Sequence, residues 1–299
     1  MQAIEIRDVG PRDGLQSEAP VSPRQRADLA LALAAAGVPH VEAASFVSPA
    51  AVPAMAAGDE VLAALDDAAT SATWWVLVPN RRGAELALAA GATHITVTVS
   101  ASDAYSRKNV GKPTDQAVAE LRSIASVVGD RAVLDIVVSC AFGSPFDDVV
   151  DARPATSIAE IVAATMPDAR LTLADTTGTA TPRRIAAVVD ALPEPTRGTL
   201  GLHLHDTRGT ALANALSAIE IGVSRFDTAT GGLGGSPFAP GAGGNLATED
   251  LVLMLNDLGH DTGIDLDAVL AIASDLPALI GHPVASRTSR AGPLPRFLT

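Results

Sequence analysis

Apolar residues along this chain fall into two alternating patterns. Short, nearly continuous β-type runs occur at Ala3–Val9, His40–Ser45, Thr73–Val78, His94–Val99, Ala132–Ser139, Arg170–Ala174, Thr199–His205 and Arg225–Thr230. Between them lie longer Ala/Leu-rich stretches with helical spacing, near 23–36, 58–68, 80–90, 114–128, 155–165, 182–191, 209–221 and 248–258. Ser22-Pro23, Thr181-Pro182 and Thr248-Glu249 mark helix starts, and Gly37, Gly91, Gly129, Gly222 and Gly259 mark ends. Alternating strands and helices predict an α/β protein with a parallel sheet. Strands that are apolar on both faces are those covered on both sides. Eight such units fit a single (β/α)8 TIM barrel, which needs about 250 residues. The rival doubly wound sheet is disfavoured, because no GxGxxG or GxxxxGK[ST] loop follows the first strand. One more helix is expected at Leu266–Leu279, and then a Pro/Gly/Arg-rich tail. The expected organisation is therefore a barrel with its C-terminal helix over 1–280 and a tail over 281–299.

Composition narrows the function classes. The 299 residues are 47% hydrophobic, enough for a large core, yet only 3% aromatic. Stacking on single-stranded nucleic acid is disfavoured. A net charge of −13 argues further against nucleic acid as the main partner, although local Arg clusters can still bind a small anion. One cysteine, Cys140, excludes an internal disulfide and a Cys-rich zinc site; its expected state is buried and inert. No apolar run reaches ~20 residues, so no membrane span is expected. The start MQAIEIRDVG has neither the basic nor the apolar part of a signal peptide, and a cytoplasmic enzyme is the expectation.

In a barrel, chemistry collects at the C-terminal ends of the strands. Strand 1 runs into Gly10-Pro11-Arg12-Asp13-Gly14-Leu15-Gln16, strand 2 carries Glu42 and Ser45, and strand 6 ends at Asp175. His203 and His205, two apart on strand 7, share one face at the barrel mouth. Alone, that pair reads first as two hydrogen-bonded lining histidines. Asp13, Glu42 and Asp175 shift the reading, because buried carboxylates need a metal or an Arg, and Arg12 is the evident Arg. Asp13 and Asn245 are the nearest oxygen donors. With two His they suit a six-coordinate Mg²⁺, Mn²⁺ or Co²⁺. The Gly-rich stretch 231–244 reads either as a surface loop or as a lid over substrate. The basic cluster Arg107-Lys108-Asn109-Val110-Gly111-Lys112 is either a solvated turn or a contact for phosphates. His40, His94, His260 and His282 are expected to be structural or surface residues.

Four stretches together resemble 3-hydroxy-3-methylglutaryl-CoA lyases: Val9 to Gln16 (VGPRDGLQ), Val41 to Pro49 (VEAASFVSP), His203 to Thr207 (HLHDT), and the glycine loop through Asn245. The resemblance spans nearly the whole chain. It implies a divalent cation, Mg²⁺ or Mn²⁺, on Asp13, His203, His205 and Asn245. It also implies an acyl-CoA substrate, a homodimer and a place in leucine degradation. Arg12 would stabilise an enolate, and Glu42 would support Arg12 and the metal. Asp175 falls on an active-site position, and Ser45 and Thr172 fall where the family contacts substrate. Two positions depart. Ser236 stands where the family has a catalytic Cys, and a hydroxyl is a far weaker acid than a thiol of pKa ~8.5. Phe146 stands where the family usually has Tyr, which removes a hydroxyl from recognition of the substrate carboxylate. The implied reaction is a retro-Claisen cleavage to acetyl-CoA and a keto acid, with His203 or Asp175 as base and Ser236, water or a histidine as acid. Three other readings stay open. They are a lyase or aldolase for another substrate, an acyltransferase of the isopropylmalate synthase type, and a non-catalytic acyl-CoA-binding homologue.

Overall fold

A computed structural model describes residues 3–66, 68–147, 151–235 and 243–292. Eight strands close into a parallel barrel in sequence order: β1 Glu5–Asp8, β2 His40–Ser45, β3 Thr73–Val78, β4 His94–Ser100, β5 Val133–Ser139, β6 Arg170–Asp175, β7 Gly201–Leu204 and β8 Arg225–Thr228. β1 pairs with β8, with Glu5 opposite Arg225 and Arg7 opposite Asp227. This is the TIM barrel expected from the alternation. Several strands are shorter than their apolar runs: β7 stops at Leu204, because His205 pairs instead in an antiparallel bridge with Asn245.

The helices are α1 Pro23–Ala35, α2 Gly58–Asp66, α3 Arg81–Ala89, α4 Asp103–Val110, α5 Thr114–Val128, α6 Arg153–Thr165, α7 Pro182–Ala191, α8 Glu194–Arg197, α9 Ala211–Glu220, α10 Thr248–Asp257, α11 Leu266–Ile280 and α12 Arg287–Ala291. Local chemistry explains their starts. Ser22 and Gln25 form a capping box on α1, and Thr181 accepts the Arg184 N–H on α7. Thr248 does begin α10, but its hydroxyl caps nothing; it donates 2.6 Å to Asp8. The apolar pattern does not reveal α4, whose sequence DAYSRKNV is mostly polar. Capping by Ser102 and left-handed Gly111 (φ 70°) set its ends.

The main core lies between the strands and the helix ring and is built mostly from Ala, Val, Leu and Ile. Small alanines let the helices approach the sheet closely. The inside of the barrel is different. Arg7, Asp135, Thr172 and Asp227 are all buried there, held by one network of charges and hydrogen bonds. The chain end folds back: Ala285 and Ser286 N–H groups donate to Gly231 O, and Arg287 pairs with Asp206. No described helix is long and apolar enough to cross a membrane.

Candidate active site and metal centre

The segment after β1 makes a tight π-helical turn, Gly10–Gly14, which carries Arg12 and Asp13 inward. Asp8, facing outward beneath it, anchors the turn. Its carboxylate accepts from Gly10 N–H at 2.7 Å and from the Thr230 hydroxyl at 2.6 Å. The turn is wedged against the roots of the glycine loop, where a side chain on Gly244 would lie 1.7 Å from Gly232 O. Glycine is required there for close backbone approach. The described roots of the loop are thus packed rather than a free surface loop; the centre of the predicted lid, with Ser236, lies outside the described residues.

Beside this turn, Asp206 N–H donates to Gly244 O and Leu246 N–H to Leu204 O. These bonds set Asn245 next to His205. The Nε2 atoms of His203 and His205 lie 3.1 Å apart, and Asp13 completes a group of possible ligand atoms all within 4.8 Å of one another. Asn245 Nδ2 donates to Asp13 Oδ2 at 2.9 Å, while its buried Oδ1 has no hydrogen-bond partner.

These residues fit a divalent cation. His205 Nδ1 lies 3.1 Å from Gly243 O, and a carbonyl can only accept. The ring proton is therefore on Nδ1, and the Nε2 lone pair faces the cluster. Burial and the neighbouring His203 push the His205 pKa down to about 4, so the ring is neutral at pH 7, as a ligand must be. Adjacent ligands of a six-coordinate ion sit about 3 Å apart, close to the Nε2 separation. Asn245, bonded to Asp13 through Nδ2, carries a further neutral oxygen in its unpartnered Oδ1. Burial opposes ionisation of Asp13, but Arg12 and the two histidines outweigh it and hold its carboxyl below the usual range. Burial likewise opposes charge on His203, but Asp227 and Asp13 outweigh it and raise its pKa.

Arg12 is buried, with Nε and Nη2 on Glu42 Oε2 and Nη1 on Asp13 Oδ1 at 2.7 Å. Glu42 Oε1 is buried without a partner. Arg12, Asp13, Glu42, His203 and His205 line one side of a cavity of about 480 Å³ at the barrel mouth. Lys112 and Asn109 also line it, and Lys108 sits 4.5 Å over the Phe146 ring. The cluster thus reaches the cavity through Asn109, Val110 and Lys112.

The sequence model of the HMGL-like family matches residues 3–276. The chain belongs to the HMGL-like family. It is 42% identical to an (R)-citramalyl-CoA lyase of Chloroflexus aurantiacus, over 98% of this chain and 96% of that protein. It is 38% identical to a hydroxymethylglutaryl-CoA lyase of Pseudomonas mevalonii, with the same coverage. A solved HMG-CoA lyase of Acinetobacter baumannii, in complex with coenzyme A and 3-methylmalate, superposes with a TM-score of 0.92 at 36% identity. That match covers 99% of this chain and 97% of the other.

Four expected site residues, Asp175, Thr172, Ser45 and Phe146, are placed outside the cavity lining of this HMGL-like barrel. Asp175 does not line the cavity. Its Oδ1 accepts from Thr179 N–H at 2.7 Å and Ala180 N–H at 2.9 Å, organising the loop after β6. Side chains alternate along a strand, and Ala174 on β6 and Thr176 just after it line the cavity, so Asp175 between them faces out. Burial raises its pKa to about 6. Thr172 sits lower in the barrel and donates 3.0 Å to Asp135. Ser45 is buried without a partner for its hydroxyl and outside the cavity lining. Phe146 packs against Tyr105, with ring centroids 6.3 Å apart. Cys140 is buried, and burial pushes its thiol up to about 12. His40 accepts from Trp75 Nε1 inside the fold, and His282 pairs with Glu18 on the surface. Sequence reasoning missed Arg7 and Asp227, which reach His203 from below. A signal existed: Arg7 and Asp227 are charges of opposite sign within strands, where a buried charge needs a partner.

Proposed function

We propose that this protein is a divalent-metal-dependent lyase. Its substrate would be a 3-hydroxy-3-methyl dicarboxylic acid held as its CoA thioester, cleaved to acetyl-CoA and a keto acid. The supporting observation is the convergence of His203 Nε2, His205 Nε2 and Asp13 beside Arg12 at the cavity, with Asn245 hydrogen-bonded to Asp13. Asp13, His203, His205 and Asn245 would hold Mg²⁺ or Mn²⁺. A cation there supplies Lewis-acid polarisation of the substrate's oxygens.

The chain's own groups account for the remaining chemistry. A base takes the proton of the tertiary hydroxyl. The C2–C3 bond then breaks, its electron pair goes to C2, and C3 becomes a ketone. Asp175 faces away from the cavity, and His203 Nε2 cannot take a proton while serving as a ligand. Glu42, which lines the cavity and whose buried Oε1 has no hydrogen-bond partner, is assigned the proton. Arg12, oriented by Glu42 and Asp13, presents its planar charge to the enolate oxygen of acetyl-CoA. Ser236 or a water returns a proton to C2. Lys112 and Asn109 face the cavity where the CoA phosphates would enter. Cleavage of 3-hydroxy-3-methylglutaryl-CoA gives acetoacetate; cleavage of (R)-citramalyl-CoA, one methylene shorter, gives pyruvate. The second substrate is favoured by the 42% identity to a citramalyl-CoA lyase, and by Phe146 and Ser236 as departures from the HMG-CoA lyase pattern.

The test is acetyl-CoA release from both thioesters, with Mn²⁺ or after chelation. Chelator-sensitive release from either is expected. No release from either, with metal present, overturns the lyase reading.

A further inference from the structure

Arg7 lies on β1, below the cavity's ligand cluster, and is buried. Its guanidinium grips Asp227 through two parallel bonds, Nε to Oδ1 at 2.8 Å and Nη2 to Oδ2 at 2.9 Å. Its remaining nitrogen pairs with Asp135 at 2.9 Å, and its face covers Trp75 at 4.9 Å. Asp135 is bound in turn by Arg225 at 3.1 Å and by Thr172. Two arginines thus balance two aspartates in the barrel interior, and Arg7 cannot swing away. Asp227 has one further contact: its Oδ2 lies 3.2 Å from His203 Nδ1.

The direction of that bond follows from Arg7. A carboxylate whose two oxygens each take an arginine N–H is ionised and can only accept. His203 Nδ1 must therefore carry the hydrogen. In a neutral ring Nε2 is then the lone-pair atom, and it faces His205 Nε2 and Asp13. The planar fork of Arg7 also fixes the plane of the carboxylate, and so the plane of the imidazole. A lysine could supply the charge but not the orientation.

We propose that Arg7 and Asp227 are positioning residues that hold His203 as its Nδ1–H tautomer and thereby set the site's affinity for the cation. This rests on the metal-site reading above. Partners of ligating histidines typically account for about 10–100-fold in metal affinity. Asp135 serves as the internal control, since it shares Arg7 but does not touch His203.

The experiment is calorimetric titration of the wild-type protein, Asp227→Asn, Arg7→Lys and Asp135→Asn with Mn²⁺ alone, alongside thermal unfolding of each. The expected result is a loss of about 10–100-fold in Mn²⁺ affinity for Asp227→Asn. A several-fold loss is expected for Arg7→Lys, and less than a threefold loss for Asp135→Asn despite its lowered Tm. The inference is overturned if Asp227→Asn stays within threefold of wild type, or if Asp135→Asn loses as much as Asp227→Asn. If Asp227→Asn does not fold, Arg7→Lys decides: unchanged affinity overturns the inference, and a several-fold loss supports it. Absence of Mn²⁺ binding in the wild-type protein overturns the metal-site reading itself, and this inference with it.

Discussion

His205, Arg12 and Ser236 each carry one separable part of the proposed chemistry. His205 contributes a neutral nitrogen at the barrel mouth, away from the apolar core between sheet and helices, so His205→Ala should abolish Mn²⁺ binding and activity while the barrel stays folded. Calorimetry and circular dichroism on the same sample check both halves. Arg12 meets Glu42 and Asp13 on different edges of its guanidinium. A lysine ammonium cannot hold both while facing a developing enolate. Arg12→Lys should leave KM within a few fold and lower kcat by about 10²-fold or more, the usual scale for losing such a donor; near-normal kcat would make Arg12 a binding residue. Ser236 would act through the acidity of its hydroxyl. A thiol is a much stronger acid than a hydroxyl, so Ser236→Cys should raise kcat toward 3-hydroxy-3-methylglutaryl-CoA without changing KM. No gain, with good wild-type turnover of (R)-citramalyl-CoA, would assign the serine to the shorter substrate.

At the scale of elements, the loops do more than join strands. The loop after β6 is built around Asp175, whose pKa burial raises to about 6 against roughly 3.9 in an unfolded chain. The folded state therefore holds a proton that the unfolded state has already released between those values. Stability should fall as pH rises from about 4 to 6 and then level off. Asp175→Asn should flatten that slope, measured by urea unfolding across the range. The glycine loop is held from behind by the chain end. Asp250 on α10 accepts from the Ser286 hydroxyl and from Arg287 and Thr288 N–H groups, and Ser286 N–H reaches Gly231 O. Asp250→Ala leaves several buried groups unpaired and should cost about 1–3 kcal/mol in unfolding free energy.

Across the whole molecule, the metal reading has a consequence independent of catalysis. The ligands come from the turn after β1, from β7 and its end, and from the far side of the glycine loop. An ion there ties together segments that unfolding would separate, so it stabilises by mass action. Mn²⁺ at 100 times its Kd should add about 2.7 kcal/mol. That corresponds to roughly 5 °C in Tm for a chain of this size. Chelation should reverse the shift, and His205→Ala should show none.

The barrel was legible in the sequence because its determinants are local and periodic. Apolar strands, helical spacing and caps such as Ser22 repeat along the chain, and the β/α alternation leaves few ways to bury both faces of a parallel sheet. Arg12, Asp13, His203, His205 and Asn245 were also legible as candidates, since each stands in a motif near a strand end. What their side chains meet was decided only in three dimensions. Asp175 looks equivalent to its neighbours until the pleat of β6 turns it outward, and Asn245 reaches His205 only through a bridge across the barrel mouth. The partnership of Arg7, Asp227 and His203 depends on the closure of β1 onto β8. Periodicity along one segment reports which face is buried. It carries no information on which distant side chain shares that face, because barrel closure and register belong to the assembled sheet.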